Sequence, residues 1–427
     1  TVPFKGEIIE VAQLSLYAQD EFLFSPTFNM VLGIRVDIPM YLTDPVDNPF
    51  SRGLTLLDEN GNPETVDQSK LAGAIPLWSP RIGFNWDVTG NRTTQVRGGT
   101  GIFTGRIPFV WVGNVISNPG NNPNLYPNVE EQIKTKGDAI LQTSFDLNAM
   151  TRNFVWPQVW NTNIALDQML PADFLLTLEL LYGKDLNGIY VRNADLAPPI
   201  RTLPDGRPYY GGDLPNGNGV HELNPDGKAG VYVIDNASKG YNYSITAQLR
   251  KRFDFGLSTG LAYTFMQAKS LLKSTEIASV LWQENPTQGN PNTPNLSYSE
   301  FGVRHRIIGH GTYSVQWNEN FTSHFGLFFE VSEGNRFTGA GGNRYSFLYA
   351  GDVNGDGYNN DLIYIPRDQS EINFTSYEDE SGNTVDENFF HLNSHRNLVL
   401  SDKRVIATFD VDDLIIVDTH DALLIGK

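Results

Sequence analysis

The sequence predicts an all-β protein: an antiparallel transmembrane β-barrel, at least in part, with ten or more strands. Three observations carry that prediction. Segments of about a dozen residues alternate apolar and polar side chains, the period of two that gives a strand one greasy and one wet face. These segments come in pairs joined by short turns, while successive pairs are separated by roughly 30 to 50 residues. Composition agrees, with Gly 40, Phe 25 and Tyr 18, charged residues at only 19% and no long Ala- or Leu-rich stretch.

The pairs follow in order. "LSLYAQDEFLF" turns at Ser25 and Pro26 into "TFNMVLGIRVD", and "PRIGFNWDV" turns through "TGNR" into "TTQVRGGTGIF". "QVWNTNIALDQM" passes through "LPA" into "DFLLTLELLYG", and "HRIIGHGTYSVQW" through "NEN" into "FTSHFGLFFEV". The clearest pair is "YNYSITAQLRKRFDFGLSTGLAYTFMQAK", residues 241 to 269. There Tyr241, Tyr243, Ile245, Leu249, Leu257, Leu261, Tyr263 and Phe265 belong to one face, and Asn242, Ser244, Thr246, Gln248 and Ser258 to the other. A turn near Phe253 and Asp254 joins the two strands.

Long connections (38 to 79, 107 to 155, 191 to 239 and 270 to 302) all fall at one end of the strands and are rich in Gly, Pro, Asn and Asp. Loops of that length are uncommon in soluble domains, whereas alternating tight turns and long external loops describe an outer-membrane barrel. Trp86, Trp160, Tyr182, Trp317, Phe321 and Phe329 lie near strand ends, where an interfacial aromatic belt is required. No run of about 18 apolar residues is present, which excludes a transmembrane helix of usual length but leaves transmembrane strands open. No charged-then-apolar leader opens the sequence. The competing architecture is a soluble secreted β-domain, a carbohydrate-binding or adhesin module using loops such as "NPGNNPNLYPN"; it requires a second sheet over the aromatic stripes.

A formal net charge of −18 argues against nucleic acid, since phosphate-backbone binding needs clustered Lys and Arg. With no cysteine, disulfides, thiolate metal sites and cysteine nucleophiles are unavailable. "GLSTG", Gly256 to Gly260, has the spacing of a nucleophile elbow, yet Ser258 lies on the polar face of a continuous strand, without the sharp strand-to-helix turn that exposes a catalytic serine. His305, His310 and His324 are expected to fill polar space rather than hold a metal, and "YEDESGNTVDE" to be a solvated loop. No catalytic constellation emerges, and the expectation is a protein that is not an enzyme.

"GDVNGDGYNNDL" is the one metal candidate. Asp352, Asn354 and Asp356 occupy the first, third and fifth positions of an EF-hand-like calcium loop, Gly357 the sharp turn and the Tyr358 carbonyl the seventh position. Ile363 stands where a bidentate Glu belongs, so Asp361 would have to substitute in a differently shaped loop. Calcium, in a structural role, is the cofactor this pattern suggests.

"SPRIGFNWDVTGNRTTQVRGGTGIFTGRIPFVWVGN", "YNYSITAQLRKRFDFGLSTGLAYTFMQAKS", "RHRIIGHGTYSV" and "GDVNGDGYNNDLIYIP", in this order, resemble the C-terminal half of the barrel of TonB-dependent outer-membrane receptors, most closely the Oar-like group. The likeness runs over about residues 5 to 390. It implies part of a barrel of about 22 strands, residence among the lipids of the bacterial outer membrane, an unidentified imported ligand, and engagement of TonB through a plug region absent from this chain. The tail departs from that pattern. "NLVLSDKRVIATFDVDDLIIVDTHDALLIGK" is similar to the C-terminal part of the nucleotidyltransferase domain of mannose-1-phosphate guanylyltransferases, with "DLIIVDTHDALLI" as a short strand pair. The expected division is therefore 1 to 390 as partial barrel and 391 to 427 as an unrelated tail that does not close the sheet.

Overall fold

The structure, a computed structural model, describes residues 8–45, 47–120, 146–211, 223, 230–272, 277–299, 302–334, 348–349, 351–365, 367, 389–401, 405–418 and 423–426. The chain divides into two compact units, Thr1–Ile363 and Tyr364–Lys427. The loop "NPGNNPNLYPN", apart from its first residues, and the acidic run 377 to 387 lie outside the described residues.

Ten long strands make the wall of the first unit: β1 (Val11–Ser25), β2 (Phe28–Tyr41), β3 (Leu77–Asp87), β4 (Thr94–Thr104), β5 (Gln158–Leu170), β6 (Phe174–Asp185), β7 (Tyr241–Arg252), β8 (Leu257–Ser270), β9 (His305–Asn318) and β10 (Phe321–Ser332). Each pairs antiparallel with its sequence neighbours, so the strands stand in the sheet in chain order. Five hairpins with short turns, as the sequence predicts, set this topology. The turn chemistry is local. Asp87 accepts from the Gly90 and Arg92 amides in the second turn, and Gly256, at φ 91°, supplies the left-handed residue of the fourth.

Register carries each face across neighbouring strands, because residues directly opposite point the same way. Met30 faces Phe84, Leu32 faces Ile82 and Val36 faces Trp78; Ile164 faces Leu180, Leu180 faces Ile245, Ile245 faces Phe265 and Tyr263 faces Ile307. Among the described residues nothing covers that apolar face. Ile245, Leu249, Leu261, Tyr263, Trp78, Trp86, Trp160 and Trp317 are exposed large hydrophobics, Trp317 at 61%. The other face is held by polar contacts: Gln13, Ser15 and Arg35 all bond Asp37, Arg97 bonds Asp167 at 3.0 Å, Thr246 meets Thr264 at 2.9 Å and Arg306 pairs with Glu330. The two-faced assignment of residues 241 to 265 therefore holds. No second sheet lies over the aromatic stripes among the described residues, which removes the ground for the soluble sandwich alternative.

Aromatics concentrate at both ends of the apolar face. Phe22, Phe24, Phe28 and Phe84 form a chain of ring contacts near the short turns, as do Phe253, Phe255 and Tyr313. At the loop end Trp160 meets Tyr182 edge-on at 6.3 Å. Trp78 and Trp86 share β3 about 27 Å apart along the strand, which at a tilt near 40° spans about 20 Å, close to the apolar band of an outer-membrane barrel.

The long connections differ from plain loops. They contain helices α1 (Phe109–Ser117) and α2 (Ala278–Gln283) and a small sheet in which Gly188–Asn193 pairs antiparallel with Val231–Ala237, which pairs parallel with Leu147–Met150. Together they bury a core of Trp111, Val112, Val115, Ile116, Phe154, Trp156, Tyr232, Ile234, Leu281 and Trp282. On α1, Trp111, Val112, Val115 and Ile116 share one helical face, which is why so short a helix holds its place. We call this loop-built body the cap.

In the second unit Phe389–Leu392 runs parallel to Ile406–Phe409, and Leu398–Ser401 parallel to Ile415–Asp418. Every partner is 17 residues on, and the corner residues Asn393 and Asp410, and Arg396 and Asp413, share positive φ at that spacing. This is the geometry of successive coils of a parallel β-helix. Ile415–Asp418 also pairs antiparallel with Leu423–Gly426, the strand pair expected from "DLIIVDTHDALLI".

Candidate functional site

Loop 351–363 is a clip through the cap. The Tyr210 amide donates to the Asn354 carbonyl at 2.7 Å, the Thr287 amide to the Asn360 carbonyl, and the Leu362 amide to the Thr287 carbonyl. Side chains repeat the stitching: Asn360 Nδ2 donates to the Asn285 carbonyl, and the Tyr358 and Tyr232 hydroxyls meet at 3.0 Å. One segment thus ties the 201–210 hairpin, the α2 region and the small sheet together.

The predicted calcium residues come together, with their oxygens committed locally. Asp352 accepts from the amides of Gly355, Asp356 and Gly357; Asp361 accepts from Val353 and Asn354 and from Arg207 Nη1 at 2.9 Å. Asn354 and Asp356 exchange bonds, Nδ2 to Oδ2 at 3.0 Å and the Asp356 amide to Oδ1 at 2.9 Å. The Tyr358 side chain points away, to Tyr232 and Gln283. Among the described residues no three acidic or histidine side chains converge as a metal-ligand set.

The charge balance is uneven. Asp352, Asp356 and Asp361 lie within electrostatic reach of one another, and Arg207, which also pairs with Asp205, is the cation among them. Burial, aided by Asp352 and Asp361, pushes the Asp356 carboxyl up to about 7. Asp352 and Asp361 are also raised, by burial first. Beside them the Tyr210 hydroxyl is buried without a hydrogen-bond partner among the described residues, and burial followed by the Asp356 charge raises its pKa. Sequence spacing located the acidic loop; Arg207, some 150 residues earlier in the chain, carried no signal of its role.

The remaining candidates stay apart. Ser258 sits in β8 opposite Arg252 and Thr312. His305 stacks on Tyr263 on the apolar face, His310 packs over Gly260 on the polar face, and His324 bonds Ser314 at 2.8 Å.

Where β5, β6, β7 and β8 reach the cap, a cavity of about 210 Å3 opens beside Asp185, Gly240 and Ser270. Neither Asp185 nor Gly240 stood out in the sequence. The usable signal was register: Tyr241 faces both Lys184 and Lys269, which puts Gly240 level with Asp185 and Ser270 on the polar face.

The model of a family described as an outer membrane beta barrel domain matches residues 7–391, and the chain belongs to that family. It is accordingly a protein of the bacterial outer membrane, its uncovered apolar face turned to lipid and its polar face to the lumen. Residues 387–427 match a second family model, a mannoseP isomerase/GMP-like beta-helix domain. That match supports the sugar-nucleotide enzyme likeness of the tail and corrects its detail, since the similar region is β-helical rather than nucleotidyltransferase, in keeping with the parallel coils. Among solved structures, the chain is similar to a mutant ferric enterobactin receptor from Pseudomonas aeruginosa, at 12% identity and TM-score 0.40 over 77% of this chain and 33% of that one. It is also similar to the siderophore receptor PirA from Acinetobacter baumannii, at 12% identity and TM-score 0.40 over 77% of this chain and 35% of that one. The copper transporter OprC matches at 9% identity and TM-score 0.34, over 71% of this chain and 33% of that one. The chain thus spans about a third of each of these structures. No curated protein matches the sequence.

Proposed function

We propose that this chain forms part of the barrel of a TonB-dependent receptor, binding a ligand at the cap and lumen and importing it across the outer membrane. The observation that carries the reading is the cap: connections of an outer-membrane wall that fold into a body with its own core, above a lumen lined by Arg, Asp, Gln and Thr side chains. A capped, polar lumen suits selective uptake better than open diffusion. TonB engagement would pass through a plug region outside residues 1–427. Loss of this gene and loss of TonB should give the same nutrient-limited growth defect, and the double mutant should be no worse. A defect that TonB loss deepens would overturn the reading.

The excess of buried carboxylates in the loop favours one addition, a structural calcium ion at residues 352 to 361. The cation would offset charge that Arg207 alone leaves uncompensated, with Asp352 and Asp356 as the side chains holding it. Calcium should then raise the protease resistance of the cap, and Asp352→Asn with Asp356→Asn should abolish that gain. Equal digestion of the unmutated protein with calcium and with chelator would end this proposal.

A further inference from the structure

Asp185 closes β6 on the lumenal face, in a row that register defines: Val159 opposite Asp185, then Gly240, whose carbonyl accepts from the Asp185 amide, then Ser270. Gly240 is the gap in that row. A Cβ there would lie 1.8 Å from Asp185 Oδ2, and one on Gly188 would lie 3.3 Å from the same oxygen. The two glycines let the carboxylate lean over the backbone and open the 210 Å3 cavity beside it.

Among the described residues that carboxylate has no hydrogen bond or ion pair, and Lys184 acts on it only through space. The Lys184 ammonium is turned to the Ser238 carbonyl at 2.9 Å. The other polar groups at the rim are spent on one another. Gln158 donates to the Trp78 carbonyl and Thr104 and accepts from Asn187, while the Ser270 hydroxyl donates to the Leu272 carbonyl. The rest of the lining is largely apolar, from Pro157, Val159, Ile189 and Leu271. A half-buried anion without donors is costly unless a cation or N–H group meets it. Apolar walls around a single charge fit an aliphatic stem with a charged tip.

We propose that this notch is a recognition subsite for the alkylammonium group of the imported ligand, with Asp185 as its counter-charge and Gly240 as the residue that makes room. The subsite rests on reading the chain as a ligand-binding receptor wall and names a chemical feature of that ligand. At about 30 Å3 per water-sized group its volume has room for about seven heavy atoms, enough for an alkylammonium arm of four or five.

The test uses the full chain in detergent and n-butylammonium as probe, followed by saturation-transfer NMR of the butyl protons, with n-butanol as the neutral match. The expected result is a butylammonium signal at least five-fold above that of n-butanol, falling to the n-butanol level in Asp185→Asn. Gly240→Ala, which drives a methyl into the carboxylate, should reduce it as well. Resistance of the wall to unfolding in SDS reports that each variant is folded. Equal signals from the two probes, or an unchanged butylammonium signal in folded Asp185→Asn, would overturn the subsite. A protein that fails to float with lipid vesicles would instead overturn the receptor reading, and a charge-dependent signal in detergent would still distinguish the two failures.

Discussion

Leu261 in the wall and Val112 in the cap are both aliphatic residues in regular structure, yet Leu261 is 52% exposed and Val112 is 0% exposed. The contrast holds throughout the first unit. Wall strands present Trp, Phe, Ile and Leu outward and keep Arg, Asp, Gln and Thr inside, whereas the cap buries Trp111, Phe154, Trp156 and Trp282 as a water-soluble domain does. A single chain is built for two solvents. The wall relies on its backbone ladder and on lipid to cover its apolar face; the cap must gather its own apolar surface out of water. Perturbations that act through water should therefore damage the cap and spare the wall.

The largest expected effect is in the cap core. Trp282 is buried against Tyr232 and Tyr358, and its indole nitrogen donates to Asn292 at 2.9 Å. Trp282→Ala should cost the cap about 3 to 5 kcal/mol, read as new protease cleavage in the connections while the wall keeps its resistance to SDS. Simultaneous collapse of both would show that they are one cooperative unit.

Next in size is pH. Asp356 holds its proton up to about 7, above its ordinary value of 3.8. Between these values the unfolded chain has released the proton and the folded cap retains it, so stability falls as pH rises across that window and is flat above it. Without calcium the loss should be on the order of 3 to 4 kcal/mol, visible as faster cap proteolysis at pH 7.5 than at pH 4.5 after correction for protease activity. Asp356→Asn should make the profile shallower, leaving the part that the raised Asp352 and Asp361 contribute. A wild-type profile already flat would show that the carboxylate is ionised across the range, with Arg207 carrying the balance.

In the wall the sign of the solvent reverses. Leu261→Arg should cost about 2 to 4 kcal/mol if that position meets the bilayer midplane, measured by unfolding from lipid vesicles, and the same change should leave cap proteolysis untouched. An unchanged midpoint in lipid would mean that Leu261 sits nearer the interface.

The sequence made the wall legible because period two is local: each strand of 11 to 15 residues announces its own faces, and Ser25–Pro26 or "TGNR" marks the turn. The cap was illegible for the opposite reason. Its core gathers scattered residues from four connections rich in Gly, Asn and Pro, with the buried aromatics coming from three of them, and α2, at 6 residues, is too short for helical periodicity to speak. At the loop, alternate acidic residues gave the location and left open what their oxygens bond. The Asp185 notch needed inter-strand register, which becomes readable only once the hairpins are joined. In the tail the sequence reading found only the short strand pair and missed a repeat: "HLNSHRNLVLS" and "TFDVDDLIIVD" align at the 17-residue spacing that the parallel pairs use.

The smallest effect is expected from that tail. Its coil is held from within: Asn397 Nδ2 donates to the Val411 carbonyl and its Oδ1 accepts from the Leu414 amide, and Val399 and Ile416 are buried. Its surface pairs, Arg396 with Asp413 and His395 with Asp412, join successive coils, and exposed pairs of this kind contribute little. "LIIV" and "ALLI" are continuous apolar runs, suited to a strand covered on both sides and unlike the alternation a lumenal wall strand needs. Deleting 397 to 427 should therefore shift the stability of the wall by less than about 0.5 kcal/mol, measured as the SDS unfolding temperature of the remaining chain. A fall of several degrees would show that the tail supports the barrel, and the contrast between wall and cap would then have to include a third region with a share in both.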